Sequence, residues 1–307
     1  MKKPLKMTLG TLGAVAACVA VAAAGLLLNS QRKLDRVVAV AVAPVPYVTD
    51  AQALESGKYL YMTRCIECHG RDGDGAVFIN EPNGLYLAGS NLTTGRGSAV
   101  ASYSETDWVR TIRHGVKPSG RPVFIMPSED FNRLSDRDLA SLVAYVRSLP
   151  AKDGNGAIIR LPLIVRLIHG AGVMKDSAEK IDHSLPPSQP IPVGITTEHG
   201  RYVAQACVGC HGVELKGGSI AGAPPHWPPA AQLTGPGSVI ARYATAEQFK
   251  TLLRTGARPD GTKTNEAMPT NQHLNDVDLE AIYLYFKSTQ AAATSVSSSA
   301  QNRRPKS

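Results

Sequence analysis

The feature that most restricts this 307-residue chain is a duplicated pentapeptide. Cys65-Ile66-Glu67-Cys68-His69 and Cys207-Val208-Gly209-Cys210-His211 each set two cysteines around two other residues, with a histidine directly after. The surroundings repeat too. Gly57-Lys58-Tyr59-Leu60 precedes the first motif and Gly200-Arg201-Tyr202-Val203 the second. Asn91-Leu92-Thr93 answers to Gln232-Leu233-Thr234, and Met126-Pro127 to Met268-Pro269. The segment from Trp108 to Gly115 matches that from Phe249 to Gly256, and Leu134-Ser135-Asp136 matches Leu274-Asn275-Asp276. In both copies the methionine follows the motif histidine by 57 positions. Such self-similarity means one folded unit built twice, and the chain is long enough for two ordinary domains.

Cys-x-x-Cys-His is the attachment signature of c-type haem. The cysteines, Cys65 and Cys68 or Cys207 and Cys210, form thioethers to the haem, and the adjoining His69 or His211 turns its imidazole to the iron. Two haem c groups per chain are expected. A four-cysteine zinc site brings its pairs about 15–20 residues apart, whereas 138 residues lie between Cys68 and Cys207. A thioredoxin-like motif needs a βαβ setting, and no strand alternation is apparent.

The second axial ligand has few candidates. Of six methionines, Met1 and Met7 are N-terminal, Met62 precedes the first motif, and Met174 lies between the repeats. Met126 and Met268 remain, at matching places and each before a proline that prevents a regular helix. A thioether ligand raises the potential of a haem. His114 is an alternative in the first repeat, but Thr255 stands at its equivalent. His226 and His273 have no counterpart histidine and are expected on surface loops.

Helices are expected at 53–64, 105–113 and 135–148, and again at 198–206, 246–254 and 275–289. Ser135 and Asn275 suit N-caps, Gly115 and Gly256 suit helix ends, and Leu139, Leu142, Val143 and Val146 make a helical apolar stripe. The fold class is all-α, two tandem domains at 51–150 and 195–290, after an N-terminal membrane helix. A connector at 151–194 and a disordered Ser/Ala-rich tail at 291–307 complete the division. Within the connector, 157–174 is mostly apolar and is expected to pack on one or both domains; an amphipathic segment on the membrane surface is the alternative.

Residues 7–28 carry no charge, are preceded by Lys2, Lys3 and Lys6, and are followed by Arg32, Lys33 and Arg36. That length spans a bilayer, with the lysines on the cytoplasmic side and the haem domains in the periplasm of a bacterial inner membrane. A linker follows up to residue 50. A cleaved signal, or a lipoprotein modified at Cys18 after Val15-Ala16-Ala17, are the alternatives. The net charge of +8 lies at the two ends, where Arg303, Arg304 and Lys306 close the chain, so it describes no nucleic-acid-binding face.

Both repeats resemble class I cytochrome c domains over nearly all of 51–150 and 195–290. The whole resembles membrane-anchored bacterial dihaem cytochromes and the cytochrome subunits of membrane dehydrogenases, which often carry three haem motifs where this chain has two. The resemblance implies three helices around each haem and Met126 and Met268 as distal ligands. It also implies that Tyr59, Tyr202, Trp108, Phe249, Tyr145 and Tyr285 enclose the haems, although core packing explains those aromatics equally well. The function expected is electron transfer without catalysis, between redox proteins such as a dehydrogenase, a quinol-oxidising complex or a terminal oxidase. Service as the electron-accepting subunit of a dehydrogenase is the alternative. A dihaem enzyme of peroxidase or thiosulfate dehydrogenase type ranks lower, because it needs an open, His-ligated or Cys-ligated haem.

Overall fold

The computed structural model describes residues 3–301 apart from 222 and 225. The chain opens with α1 (Lys3–Asp35), whose Thr11–Asp35 stretch is long and apolar enough to cross a membrane. Helix continues to Asp35 where the sequence suggests a linker from residue 29. The reason is tertiary. Ser30 is fully buried against a later helix, and that packing holds the polar end of α1 in register.

In the first half, α2 (Ala51–Arg64) begins at Asp50, which accepts the Ala53 N–H, and runs into the single turn α3 (Ile66–His69). Two short strands follow, β1 (Val77–Asn80) and β2 (Tyr86–Ala88). Helix α4 (Glu105–His114) starts with a reciprocal Ser104–Asp107 capping box and stops at Gly115, which is left-handed at φ 62°. Helix α5 (Asp136–Ser148) is capped by Ser135, which accepts the Asp138 N–H. Its apolar stripe is buried against Leu60 and Tyr61 of α2 and Trp108 and Ile112 of α4. The α2–α5 crossing is close: a Cβ on Gly57 would lie 1.9 Å from the Ser141 carbonyl oxygen.

The connector contributes β3 (Ile158–Arg160), which pairs antiparallel with β2 and completes a small sheet in the order β1-β2-β3. After Pro162 comes α6 (Leu163–Gly170), then α7 (Ser177–Lys180). Helix α6 lies on α1 as well as on the first half. Asn29 Nδ2 donates to the Gly170 carbonyl at 2.7 Å, and Ser30 Oγ meets His169 Nδ1 at 2.9 Å. Arg36 grips Asp176 with two hydrogen bonds of 2.5 and 2.9 Å. The apolar connector thus clasps the end of the anchor helix, and Phe124 of the first half stacks edge-on against His169.

The second half repeats the first. Helix α8 (Thr197–Val203) passes through a 3₁₀ turn (Ala204–Cys207) into α9 (Val208–His211). Then come α10 (Ala246–Thr255) and α11 (Asp276–Gln301). A Cβ on Gly200 would meet the Ala281 carbonyl oxygen at 1.9 Å, the same crossing as at Gly57. Asn275 caps α11 by accepting the Asp278 N–H at 2.8 Å. Helical backbone runs through Gln301, where the sequence suggests a disordered tail from 291; no Pro or Gly interrupts 276–301. Residues 302–307 of that expected tail lie outside the described residues.

The halves dock through repeat-equivalent residues used reciprocally. Tyr59 Oη donates to Asp278 Oδ2 at 2.6 Å and accepts the Asn275 N–H at 3.3 Å. Its counterpart Tyr202 donates to the Asp138 carboxylate and accepts the Ser135 N–H at 3.0 Å. Each tyrosine therefore caps the start of the other half's last helix. Tyr59 and Tyr202, for which the resemblance implies haem enclosure, make their hydrogen bonds across this interface.

Candidate functional site

At the first motif, α2 ends and the chain turns once. The Cys65 N–H bonds to Tyr61 O at 2.9 Å, His69 N–H bonds to Cys65 O at 2.9 Å, and Gly70 at φ 75° ends the turn. The sheet region holds this turn from below: Gly75 N–H reaches His69 O at 2.9 Å and Ala76 N–H reaches Cys68 O at 3.0 Å. Gly89 passes so close that a Cβ there would sit 1.9 Å from the Cys68 carbonyl oxygen.

His69 Nδ1 lies 2.9 Å from the Ser90 carbonyl. A carbonyl only accepts, so Nδ1 carries the proton and Nε2 keeps its lone pair for a metal. Burial lowers the pKa of His69, which keeps the ring neutral as a ligand must be. The cleft beside it encloses about 620 Å³ including its mouth, and is lined by Cys65, His69, Trp108, Leu142, Val146 and Met126 among others. An apolar cleft with one imidazole and one thioether in its lining is chemically suited to a haem. Met126 is held there by its backbone. Its carbonyl accepts from Ser128 N–H at 2.8 Å and from the Ser177 hydroxyl, while Ser128 Oγ bonds to Thr111 O of α4 at 3.0 Å.

At the second motif His211 Nδ1 donates to the Ala231 carbonyl at 2.7 Å, which again leaves Nε2 free. His211 is buried and its pKa is likewise lowered by desolvation. Phe249, Ile282 and Phe286 form the apolar cluster beside Cys207. Met268 rides on the loop equivalent to that of Met126, with its N–H on Asn265 O at 3.0 Å. Both methionines are partly buried, but Met126 packs on the first core cluster and Met268 lies outside the second. The brace that Ser177 gives Met126 comes from the connector.

Burial also pushes the thiols up, Cys65 to about 12, Cys68 to about 11 and Cys207 to about 12. None is a thiolate near neutral pH, which does not suit a reactive disulfide pair. The two pairs do not assemble: among the described residues no group of three or more His, Cys, Asp or Glu is placed to hold a metal ion.

Trp108 lines the first cleft, and Phe249 and Tyr285 belong to the second core. Tyr145 packs on Tyr61 with ring centroids 5.4 Å apart. His114 is buried at the end of α4, not on a loop, and its Nδ1 lies 3.1 Å from His183 Nδ1. It lies outside the lining of the Met126 cleft.

Residues 52–146 match the family described as cytochrome c oxidase, cbb3-type, subunit III, and residues 198–290 match that described as cytochrome c. Both halves of the chain are cytochrome c domains. The protein therefore binds haem c and transfers electrons. This cytochrome is 26% identical over 284 residues to the fructose dehydrogenase cytochrome subunit of Gluconobacter japonicus, covering 82% of this chain and 56% of that one. It is 26% identical to the cytochrome c subunit of alcohol dehydrogenase (quinone) of Gluconobacter oxydans, covering 79% and 56%. It is 25% identical to the gluconate 2-dehydrogenase cytochrome c subunit of Pantoea cypripedii, covering 78% and 60%. The chain thus spans just over half the length of these curated relatives.

Bound haem c supplies a one-electron centre. Of the chain's own residues, the Ser90 and Ala231 carbonyls orient His69 and His211, and burial favours the neutral form of both rings. The carbonyl partners Ser90 and Ala231 were not singled out by sequence. They follow their histidines by 21 and 20 residues, a second repeat-equivalent spacing that marks them in retrospect.

Proposed function

We propose that this cytochrome is the electron-accepting partner of a membrane dehydrogenase, carrying one haem c in each domain. Cys65 and Cys68 attach the first haem with His69 and Met126 as axial ligands. Cys207 and Cys210 attach the second with His211 and Met268. The observation that carries the reading is similarity across both domains to three cytochrome subunits, each named for a dehydrogenase. With both axial positions filled by side chains the haems have no open site, so the chain passes electrons and transforms no substrate. The apolar α1 anchors it in the inner membrane, and the domains lie on the periplasmic side, where thioether attachment prevents loss of haem.

The test is purification of the tagged full-length chain from native membranes in mild detergent. A separate dehydrogenase should co-purify, and its substrate should reduce both haems within the isolated complex. Recovery of the chain alone in the salt-washed soluble fraction, with no membrane substrate able to reduce it, contradicts the proposal.

A further inference from the structure

The loop after each methionine docks on the other half's haem-attachment segment, but the two loops differ in charge. In the second half, Asn271 Nδ2 donates to the Thr63 carbonyl at 2.6 Å, two residues ahead of Cys65. In the first half, a 3₁₀ turn (Ser128–Asp130) presents Asp130 to the second motif itself. The Gly209 N–H, between Cys207 and Cys210, donates to Asp130 Oδ1 at 2.5 Å. A side chain at Gly209 would begin 3.1 Å from both carboxylate oxygens, so glycine lets the carboxylate lie flat on the motif. Asn271 cannot ionise; Asp130 can.

We propose that Asp130 of the first domain tunes the reduction potential of the haem in the second domain across their interface, and binds a proton when that haem is reduced. The inference rests on haem attachment at Cys207 and Cys210. The physical ground is one of charge. An ionised carboxylate favours the more positive, ferric state and lowers the potential, and protonation removes that effect. Where Asp130 is ionised in the ferric state, reduction by one electron from the redox donor therefore draws a proton from water onto it. The groups that act on it are Glu129 beside it, Arg64 at the end of α2 and Lys180 of α7, the last paired with Glu129 at 2.7 Å. Arg113 of α4, the helix packed against this turn, is occupied by Asp136 and the Leu134 carbonyl. Desolvation outweighs the Gly209 hydrogen bond and pushes the Asp130 carboxyl up to about 8, so the change of charge falls close to neutral pH.

Potentiometric titration of the full-length protein in detergent, from about pH 6 to about pH 10, brackets that change. One of the two midpoints should fall as pH rises and the other should stay level. Met268→His should displace the sloping transition, and Met126→His the level one. In Asp130→Asn the slope should vanish, with the midpoint fixed at its acidic-limb value and the haem content unchanged. Asp130→Glu should keep the slope and shift its inflection in that transition alone. A slope that persists in Asp130→Asn, or an inflection unmoved in Asp130→Glu, overturns the proposal. So does a wild type in which neither midpoint varies across this range. Absence of a second haem transition in the wild type is a different result, and counts against haem attachment rather than against Asp130.

Discussion

Met126→His should lower the midpoint potential of one haem and leave the other nearly unchanged, and Met268→His should do the converse. The thioether sulfur favours ferrous iron, whereas a second imidazole favours ferric. The expected shift is on the order of 0.1 V or more, within the span of about 0.8 V that axial ligation commands. Independence follows from the fold, because each methionine sits on its own domain's loop and each half has its own core. The two sites should differ in tolerance. The Met126 loop is braced by Ser128 and Ser177 and packs on the first core, while Met268 lies outside the second core and its N–H bonds within its own loop. Redox potentiometry of each variant checks this. If neither substitution moves either potential, the methionines only pack and another residue completes the ligand sets.

Gly57→Ala and Gly200→Ala should each destabilise one domain by about 3 kcal/mol, the upper end of what overpacking usually costs. A methyl at Gly57 would lie 1.9 Å from the Ser141 carbonyl oxygen and 2.5 Å from its carbon, and one at Gly200 would lie 1.9 and 2.4 Å from those of Ala281. Those atoms are helix backbone and cannot rotate away, so the first and last helices of the domain must move apart. Three kilocalories is a large share of the 5–15 kcal/mol that holds a typical domain. Gly156→Ala serves as the control, since nothing lies within 4 Å of a Cβ there and no left-handed φ is required. Thermal unfolding followed by circular dichroism should show an early transition for Gly57→Ala and Gly200→Ala and none for the control. A Gly57→Ala protein as stable as the wild type would mean that α2 and α5 do not cross as described.

The duplicated motif, the caps at Ser135 and Asn275, and the helix ends at Gly115 and Gly256 are local signals, and they were legible in the sequence. The sheet was not. Its strands are three or four residues long, and β3 comes from the connector some 70 residues after β2, too far for any local pattern to announce. The polar end of α1 looked like a linker because its helicity depends on Ser30 and Asn29 meeting α6. The repeat identified Tyr59 and Tyr202 as equivalents but could not say which surface they serve. That depends on how the two domains dock, and a sequence repeat carries no information about docking. The same limit hid Asp130, whose partner Gly209 lies 79 residues away in the other half.

The account stands most directly on the number of haems. A pyridine haemochrome assay on the purified chain, set against protein concentration, should give two covalent haem c groups per polypeptide that survive acid–acetone extraction. Cys68→Ala and Cys210→Ala should each weaken attachment at one site only. A ratio of one, or haem that extracts freely, would contradict the assignment of Cys65, Cys68, Cys207 and Cys210 as two attachment sites.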